Sequence, residues 1–488
     1  MGEYHVHTDA CMEQIRRLQA LRDPQVRRAF AGQIARTRTQ STHERNHEHP
    51  VDSNERATPY RAGDGLERPA VRQTCPVDRD LDPVLVVPGE ILVPAAEAER
   101  AIELLDEQWL RDDSADTRER RLFREALVRL VPVEGGELNE TDAILRLAKR
   151  DVQAGANHVA MLSGRDKAGC TPEPTDVDLG AGETSNDGAL VVVIDTGIDQ
   201  DADDRHDGWL NGVAPDEPDD FDLLDRVDAQ GTLIADGLLD LGAGHGTFVA
   251  GIVRQLSPCA DVRVIRALNT DGVGTEVMIA EAILRAGELF RREGRDRGVV
   301  NLSLGMETVN RQEPVGLRLA LDALPPEVLV VAAAGNARSG IPLWPAASKR
   351  VLAVSSHRGD EARTPSTWAN LGSWVDFSTV GECVVSTFVR GTETGQTSRF
   401  DLLRDPEPDT FEGESPVAIW TGTSFAAPQV AACLANLLHQ QPDLTRARAQ
   451  AVLQRPDVSL FSAGYGYRIG PLLRHQHGEM PPVLAHDC

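Results

Sequence analysis

The stretch ALVVVIDTGID, at residues 189–199, decides the fold class. It joins an unbroken run of mostly β-branched residues to a carboxylate, Asp195. An apolar run without polar alternation predicts a strand buried on both faces, which is typical of a parallel sheet covered by helices. Open α/β sheets carry functional groups at the carboxyl ends of such strands. An aspartate in that place can also form a turn or cap a helix, so Asp195 is a candidate and no more on this stretch alone.

Similar apolar runs follow along the chain and alternate with segments of helical periodicity. Strands are predicted at VRVIRAL (262–268), GVVNLSL (298–304) and VLVVAAAG (328–335), and helices from His245 onward, near 275–293 and near 314–324. This alternation predicts an α/β fold, in which a parallel β-sheet has helices on both faces.

A second candidate residue lies at the start of one of these helices. The segment GAGHGTFVAGIV (242–253) places His245 between two glycines. Glycines let the backbone approach its neighbours closely while the ring projects into open space. A histidine here can serve proton transfer, or it can be a capping or core residue.

The third candidate is Ser424, just inside the start of a long apolar helix in TGTSFAAPQVAACLANLL (421–438). Unpaired amides and the helix dipole favour negative charge that develops at such a place. Small neighbours, among them Gly422 and Ala426, leave the hydroxyl accessible. A lone serine at this position is more often a helix cap.

Taken together, three motifs change this interpretation. VVVIDTGID (191–199), HGTFVAG (245–251) and GTSFAAPQVAA (422–432) resemble, in this order, the Asp, His and Ser motifs of the subtilisin-like serine proteases, or subtilases. The resemblance covers about residues 188–475. It implies a subtilisin-like fold and a serine endopeptidase that works through an acyl-enzyme, with Asp195, His245 and Ser424 as the catalytic triad.

Other segments resemble the parts of these enzymes that bind the substrate. VVAAAGN (330–336) implies that Asn336 supplies the side chain of the oxyanion hole, next to the amide of Ser424. DGVGT (271–275) and NLSLG (301–305) resemble two edge strands between which a peptide substrate adds a strand. The implied substrate-binding residues are Gly272, Val273, Gly274, Ser303, Leu304, Gly305, Ala334 and Gly335.

Composition divides the rest of the chain. We expect a polar, disordered region at 1–82, a small α+β module at 83–164, a linker at 165–187, the subtilisin-like domain at 188–475 and a tail at 476–488. Within the module, strands are predicted at 84–93 and 157–164, and helices at 95–110, 118–130 and 141–152. The module stands where many relatives carry a propeptide, so it is expected to be propeptide-like or regulatory, as an intramolecular inhibitory partner.

The sequence predicts that no cofactor or metal is required. The insertion between Asp195 and His245 is acidic but lacks the ligand spacing of a calcium loop, which favours an exposed acidic loop. The longer loop that many relatives use for calcium after the His motif is also missing, so calcium is possible but doubtful. The cluster His43, His47 and His49 could hold a metal in principle, but a solvated tail is favoured.

Charge and cysteine usage bear on partners and location. The formal net charge of -26 opposes binding to nucleic acid and to anionic membranes. No apolar run is long enough to span a bilayer, and the first residues lack the features of a secretory signal. Seven scattered cysteines are typical of reduced thiols. A soluble, cytoplasmic protein that acts on a protein or peptide substrate is expected.

Two other functions remain open. The chain could be a catalytically silent protein that uses the peptide groove to bind a partner, although all four catalytic positions are filled. It could also be an esterase or acyl transferase with the same triad, although the two clamp segments favour a peptide.

Overall fold

The computed structural model describes residues 84–112, 126–134, 139–162, 171–216, 239, 242–270, 272–392 and 409–473, and the backbone of three short strands before residue 84. Apart from those strands, the predictions for 1–82, including His43, His47 and His49, lie outside the described residues. The predicted tail at 476–488 lies outside them as well.

The helices of this part of the chain are α1 (Ala98–Leu104), α2 (Glu140–Ala148), α3 (His245–Leu256), α4 (Glu276–Arg292), α5 (Val315–Ala323), α6 (Thr423–Gln440) and α7 (Arg446–Leu453). The strands are β1 (Tyr60–Arg61), β2 (Glu67–Arg68), β3 (Arg72–Thr74), β4 (Val84–Pro94), β5 (Trp109–Arg111), β6 (Leu127–Pro132), β7 (Gly155–Leu162), β8 (Glu173–Pro174), β9 (Leu190–Asp195), β10 (Ala214–Pro215), β11 (Asp261–Arg266), β12 (Val273–Thr275), β13 (Gly298–Leu302), β14 (Leu304–Gly305), β15 (Val328–Ala333), β16 (Leu352–His357), β17 (Phe377–Val380), β18 (Val384–Thr387), β19 (Gly391–Thr392), β20 (Thr410–Phe411), β21 (Val417–Trp420), β22 (Ser459–Ser462) and β23 (Gly466–Ile469).

The main sheet runs in the order β10-β11-β9-β13-β15-β16-β17-β23-β22. Its neighbouring strands are parallel, except for the antiparallel edge hairpin of β22 and β23. Every residue of β9, β13 and β15 is buried, as the unbroken apolar runs predict. The predicted parallel sheet of an α/β fold is confirmed.

Side chains of β9 alternate between two apolar layers. Val191 and Val193 pack into a core that includes residues of α3 and α6. Val192 and Ile194 pack into a second core that includes residues of α4 and α5. Helices therefore cover both faces of the sheet, and the carboxyl end of β9 is left at the edge where Asp195 lies.

The N-terminal module is an antiparallel sheet with α1 and α2 packed on it. Its strand order is β12-β7-β4-β6-β5, so β12 of the main unit joins the module's sheet. The helix predicted at 95–110 is shorter, since Asp106 and Glu107 adopt positive φ and Trp109 begins β5. The helix predicted at 118–130 is wrong from Leu127 onward, because that segment pairs with β4 as strand β6.

The described part of the predicted linker lies along the main unit. Strand β8 pairs with β21, and the amide of Ser185 donates to the carbonyl of Pro258 at 3.1 Å. The amide of Gly182 donates to the carbonyl of Asp207 at 2.7 Å. Residues 171–187 are thus a docked, extended segment rather than a free connector.

The cysteines differ from expectation. Cys259 and Cys383 are disulfide-bonded, whereas Cys433 is a buried free thiol. Reduced thiols were therefore the wrong prediction for Cys259 and Cys383, because spacing along the chain does not limit which residues meet in space. This removes one of the two observations behind the expected cytoplasmic location, which stays a prediction. Among the described residues, no helix is both long and apolar enough to cross a membrane.

Candidate active site

Three elements bring the triad candidates to one edge of the main sheet. Asp195 ends β9, His245 begins α3 and Ser424 is the second residue of α6. The start of α3 lies close to the loop after β9, where a Cβ at Gly246 would come within 2.0 Å of the carbonyl oxygen of Gly197. Only glycine allows this approach.

Asp195 and His245 form a buried pair. The His245 Nδ1 atom lies 2.6 Å from Asp195 Oδ1, and both side chains are buried. The same oxygen accepts a hydrogen bond from the amide of Thr196 at 2.8 Å. An ionised carboxylate can only accept, so the proton of the neutral imidazole belongs on Nδ1. The Nε2 lone pair is then the basic site of the ring.

Aromatic residues fix the plane of this imidazole. The His245 ring meets Trp420 edge-on, with centroids 5.4 Å apart, and lies 5.3 Å from the ring of Phe425. Phe425 directly follows Ser424, so the start of α6 lies against the His245 ring. Such packing excludes water and restricts the ring's orientation.

The nucleophile candidate is tied to the end of β13. Ser303 donates its hydroxyl to the carbonyl oxygen of Ser424 at 2.7 Å and accepts from the Asn301 amide group at 3.0 Å. The Ser424 hydroxyl in turn donates to the carbonyl oxygen of Ser303 at 3.3 Å. Ser303, predicted to bind substrate, therefore also positions Ser424.

Asn336 is held by its carbonyl end. Its Oδ1 accepts from the amide of Thr423 at 3.0 Å and from the Thr423 hydroxyl at 2.9 Å. With Oδ1 engaged, the donor Nδ2 faces the backbone at Gly422, where an added Cβ would lie 3.5 Å away. The arrangement suits an amide group that donates to negative charge beside Ser424. Sequence reasoning missed the role of Thr423, although it lies inside the quoted serine motif.

The predicted substrate-binding residues lie in two places. Gly272, Val273 and Gly274 follow one edge of β7, through β12 and the turn before it, and Leu304 and Gly305 follow β7 as β14. Ala334 and Gly335 lie beside Asn336 at the end of β15.

Ala334 and Gly335 are tied to neighbouring segments. The amide of Ala334 donates to Val354 at 2.8 Å, and that of Gly335 donates to the Thr423 hydroxyl at 2.9 Å. Thr423 therefore holds both Gly335 and the neighbouring Asn336.

The strand between the two clamp segments belongs to the N-terminal module. Met161 of β7 pairs with Val273 on β12 and with Gly305 on β14, in antiparallel register. The groove is therefore filled by the chain itself. A cavity of about 500 Å³ lies elsewhere, between residues 174–179 and 411–417, and no candidate site residue lines it.

Acidic residues of the insertion after Asp195 are partly buried. Asp199 lies 3.3 Å from His206 Nε2. Asp216 pairs with Arg285 at 3.1 Å and with Arg292 at 2.9 Å. The expected exposed loop is wrong for Asp199 and Asp216, because both side chains are buried against basic partners: His206 of the same loop for Asp199, and two arginines of α4 for Asp216. Within the described residues no group of three or more His, Cys, Asp or Glu side chains is arranged for a metal ion, and the need for calcium stays a prediction.

Comparison with known proteins identifies the family of the chain and several relatives. The model of the subtilase family matches residues 186–467. The chain is 31% identical over 273 residues to a thermophilic serine proteinase of Bacillus sp. strain AK1, covering 55% of this chain and 57% of that protein. It is 28% identical over 273 residues to thermitase of Thermoactinomyces vulgaris, covering 54% and 79%. A solved structure of fervidolysin from Fervidobacterium pennivorans matches with a TM-score of 0.49 and 15% identity, covering 81% of this chain and 62% of that chain.

Proposed function

Because the chain belongs to the subtilase family of serine-type endopeptidases, we propose that it hydrolyses peptide bonds through Ser424, His245 and Asp195. The observation that carries the proposal is the buried pair of His245 and Asp195, 2.6 Å apart, at the edge of the sheet where α6 presents Ser424. A buried carboxylate on one ring nitrogen raises the basicity of the other and stabilises the imidazolium that forms.

In the first step His245 Nε2 takes the proton of the Ser424 hydroxyl as the oxygen attacks the substrate carbonyl. The tetrahedral intermediate then collapses, the C–N bond breaks, and the imidazolium gives its proton to the leaving amine. A water molecule repeats these steps on the acyl-enzyme and regenerates Ser424. Asp195 keeps the tautomer fixed and stabilises the imidazolium.

Negative charge on the carbonyl oxygen develops beside Asn336. Its Nδ2 donates there because Thr423 engages Oδ1, and the amide of Ser424 is the second donor. These steps use only side chains and backbone amides. We therefore propose that no cofactor is needed, so that activity should survive dialysis against EDTA.

Strand addition in the groove favours a peptide over other acyl substrates. Both clamp segments offer main-chain groups to an extended chain, and β7 uses them in antiparallel register. Specificity would then come from side-chain pockets, and affinity from the main-chain hydrogen bonds between the clamp segments and the substrate. A protein or peptide is therefore the proposed substrate.

A fluorophosphonate probe and a peptide substrate test the function together. The wild-type protein should be labelled at Ser424 and should cleave the peptide, faster as a chain that starts at Thr171 and lacks β7 than as the full chain. Ser424→Ala should do neither and should unfold at an unchanged temperature. A silent binding protein would stay unlabelled in both forms. An esterase would be labelled and would cleave ester but not peptide substrates.

The N-terminal module is proposed to inhibit this site. β7 fills the groove that a substrate needs, and His158 of β7 is buried 2.9 Å from Glu276 at the start of α4. The His158 Nε2 atom also accepts from the amide of Val309 at 3.4 Å. Because the module is tethered, a weak intrinsic affinity would still keep the groove occupied.

A further inference from the structure

We infer that Gly272 sets the substrate side chain accepted opposite Leu304, admitting a leucine there because Gly272 carries no side chain. The inference rests on the proposed function, since it takes β7 as the stand-in for a bound substrate strand. The groove thereby gains a preference for a substrate side chain that the triad alone does not set.

The register of β7 identifies the position. Leu162 pairs with Leu304 of β14, and its amide donates to the carbonyl of Gly272 at 3.1 Å. One residue earlier, Met161 is paired on both edges of the strand. A peptide that adds between the same clamp segments would place one residue in the location of Leu162.

Side chains of β7 alternate between the main unit and the module, as in any strand. Ala160 and Leu162 are buried in the core cluster that contains Leu268 and Leu304. Val159 and Met161 instead pack in a cluster with residues of β4 and with Val273. A separate substrate meets no module residues, so its side chains at the Ala160 and Leu162 positions would make the larger contact with the protease, and the other two would meet Val273.

The side chain of Leu162 occupies the space that a Cβ atom at position 272 would fill. Gly272 has φ +74°, and a Cβ added there would lie 2.3 Å from Leu162 Cδ1 and 2.9 Å from its Cγ. The nearest other atom, Gly242 Cα, would be 3.6 Å away, which is ordinary contact. Within the protease an alanine at 272 therefore meets no clash, although it bears the strain of a positive φ, whereas it collides with a leucine in the groove.

A pair of peptides tests the preference on the full-length protein. One peptide has the sequence of residues 155–168 with a fluorophore and quencher, and the second carries alanine at the Leu162 position. Wild type should cleave the leucine peptide with the higher kcat/KM. In Gly272→Ala the module also holds the groove less tightly, which raises cleavage of both peptides alike. The measured quantity is therefore the ratio of kcat/KM for the leucine peptide to that for the alanine peptide, which should fall by about 10-fold or more.

The matched control is Gly294→Ala. Gly294 also has positive φ, +65°, but an added Cβ there meets nothing within 4 Å. The control therefore carries similar backbone strain, and its ratio of leucine to alanine cleavage should equal that of wild type. Equal losses on both peptides in Gly272→Ala, or an unchanged ratio, would overturn the inference.

Amide exchange of the intact chain separates this inference from the proposed function. In a Ser424→Ala background, Gly272→Ala should speed exchange at residues 159–162 because Leu162 no longer fits, and Gly294→Ala should not. If exchange rises but no variant cleaves any peptide, the proposed activity fails while the fit at Gly272 stands. If peptides are cleaved and exchange is unchanged, the inference on Gly272 fails alone.

Discussion

The hydroxyl of Thr423 donates to the carboxamide oxygen of Asn336 at 2.9 Å, and the same hydroxyl accepts from the amide of Gly335 at 2.9 Å. One side chain thereby holds the residue proposed to bind the oxyanion and the glycine before it. Thr423 precedes Ser424 on α6, so the donor and the nucleophile share one rigid support.

This relationship predicts graded effects on turnover. Asn336→Ala should lower kcat by about 10²- to 10³-fold with little change in KM, because its donor bonds to the transition state more strongly than to the ground state. Thr423→Val should lower kcat less, since Asn336 keeps its bond from the residue 423 amide. Steady-state kinetics on one peptide measure both, with Thr445→Val at the start of α7 as control. A change confined to KM would show that Asn336 serves binding.

The buried carboxyl group of Glu382 predicts that stability depends on pH. Glu382 is buried, and its pKa is raised chiefly by that burial, while the nearby Ser366 and Arg358 act in the opposite direction. A raised pKa means that the folded state binds the proton more tightly than the unfolded state. The resulting stability is present below the unfolded pKa and is lost as pH rises through the folded pKa.

Glu382→Gln cannot ionise at this position, so its free energy of unfolding near pH 8 should be larger than that of wild type. The difference should shrink towards about pH 4, where the wild-type carboxyl is protonated. Urea unfolding at several pH values measures it, with Glu414→Gln on an exposed loop as control. A constant difference across pH would contradict the assignment.

Arg254 ties the docked segment to α3 and predicts a large stability effect. Its guanidinium donates to the carbonyls of Ser185 at 2.6 Å, Pro258 at 2.9 Å and Asn211 at 3.0 Å. Burial lowers its pKa to about 10. Arg254→Met would remove the guanidinium from three partly buried carbonyls, at a cost of roughly 3 kcal/mol in the free energy of unfolding. Urea unfolding would show it, and an effect below 1 kcal/mol would mean that water replaces the guanidinium.

Local motifs and long-range register differ in what a sequence can reveal. Asp195, His245 and Ser424 could be singled out because each lies in a glycine-rich or apolar context at the end of an element. Trp109 was misplaced because the turn at Asp106 breaks a helical pattern that continues in the sequence. That β7 fills the groove could not be derived from composition, since its pairing with β12 and β14 joins residues more than a hundred positions apart.

Removal of the module should activate the protease. A chain that starts at Thr171 keeps the docked segment with β8 but lacks β7, so the groove is open to substrate. It should cleave a small peptide faster than the full chain under identical conditions. Adding residues 84–162 as a separate polypeptide should restore inhibition once its concentration exceeds its own dissociation constant, a condition that the tether meets by itself in the full chain.

His158→Ala in the full chain tests the same contact without truncation. It removes the side chain that lies 2.9 Å from Glu276 and accepts from Val309, and it leaves the buried Glu276 with one fewer partner across the interface. The module should then dissociate more readily, and peptidase activity of the full chain should rise. Arg146→Ala is the control, because its partner Asp106 lies within the module and both are exposed.

If the chain starting at Thr171 folds and is no more active than the full chain, the module does not inhibit; if it folds only when residues 84–162 are supplied, the module assists folding.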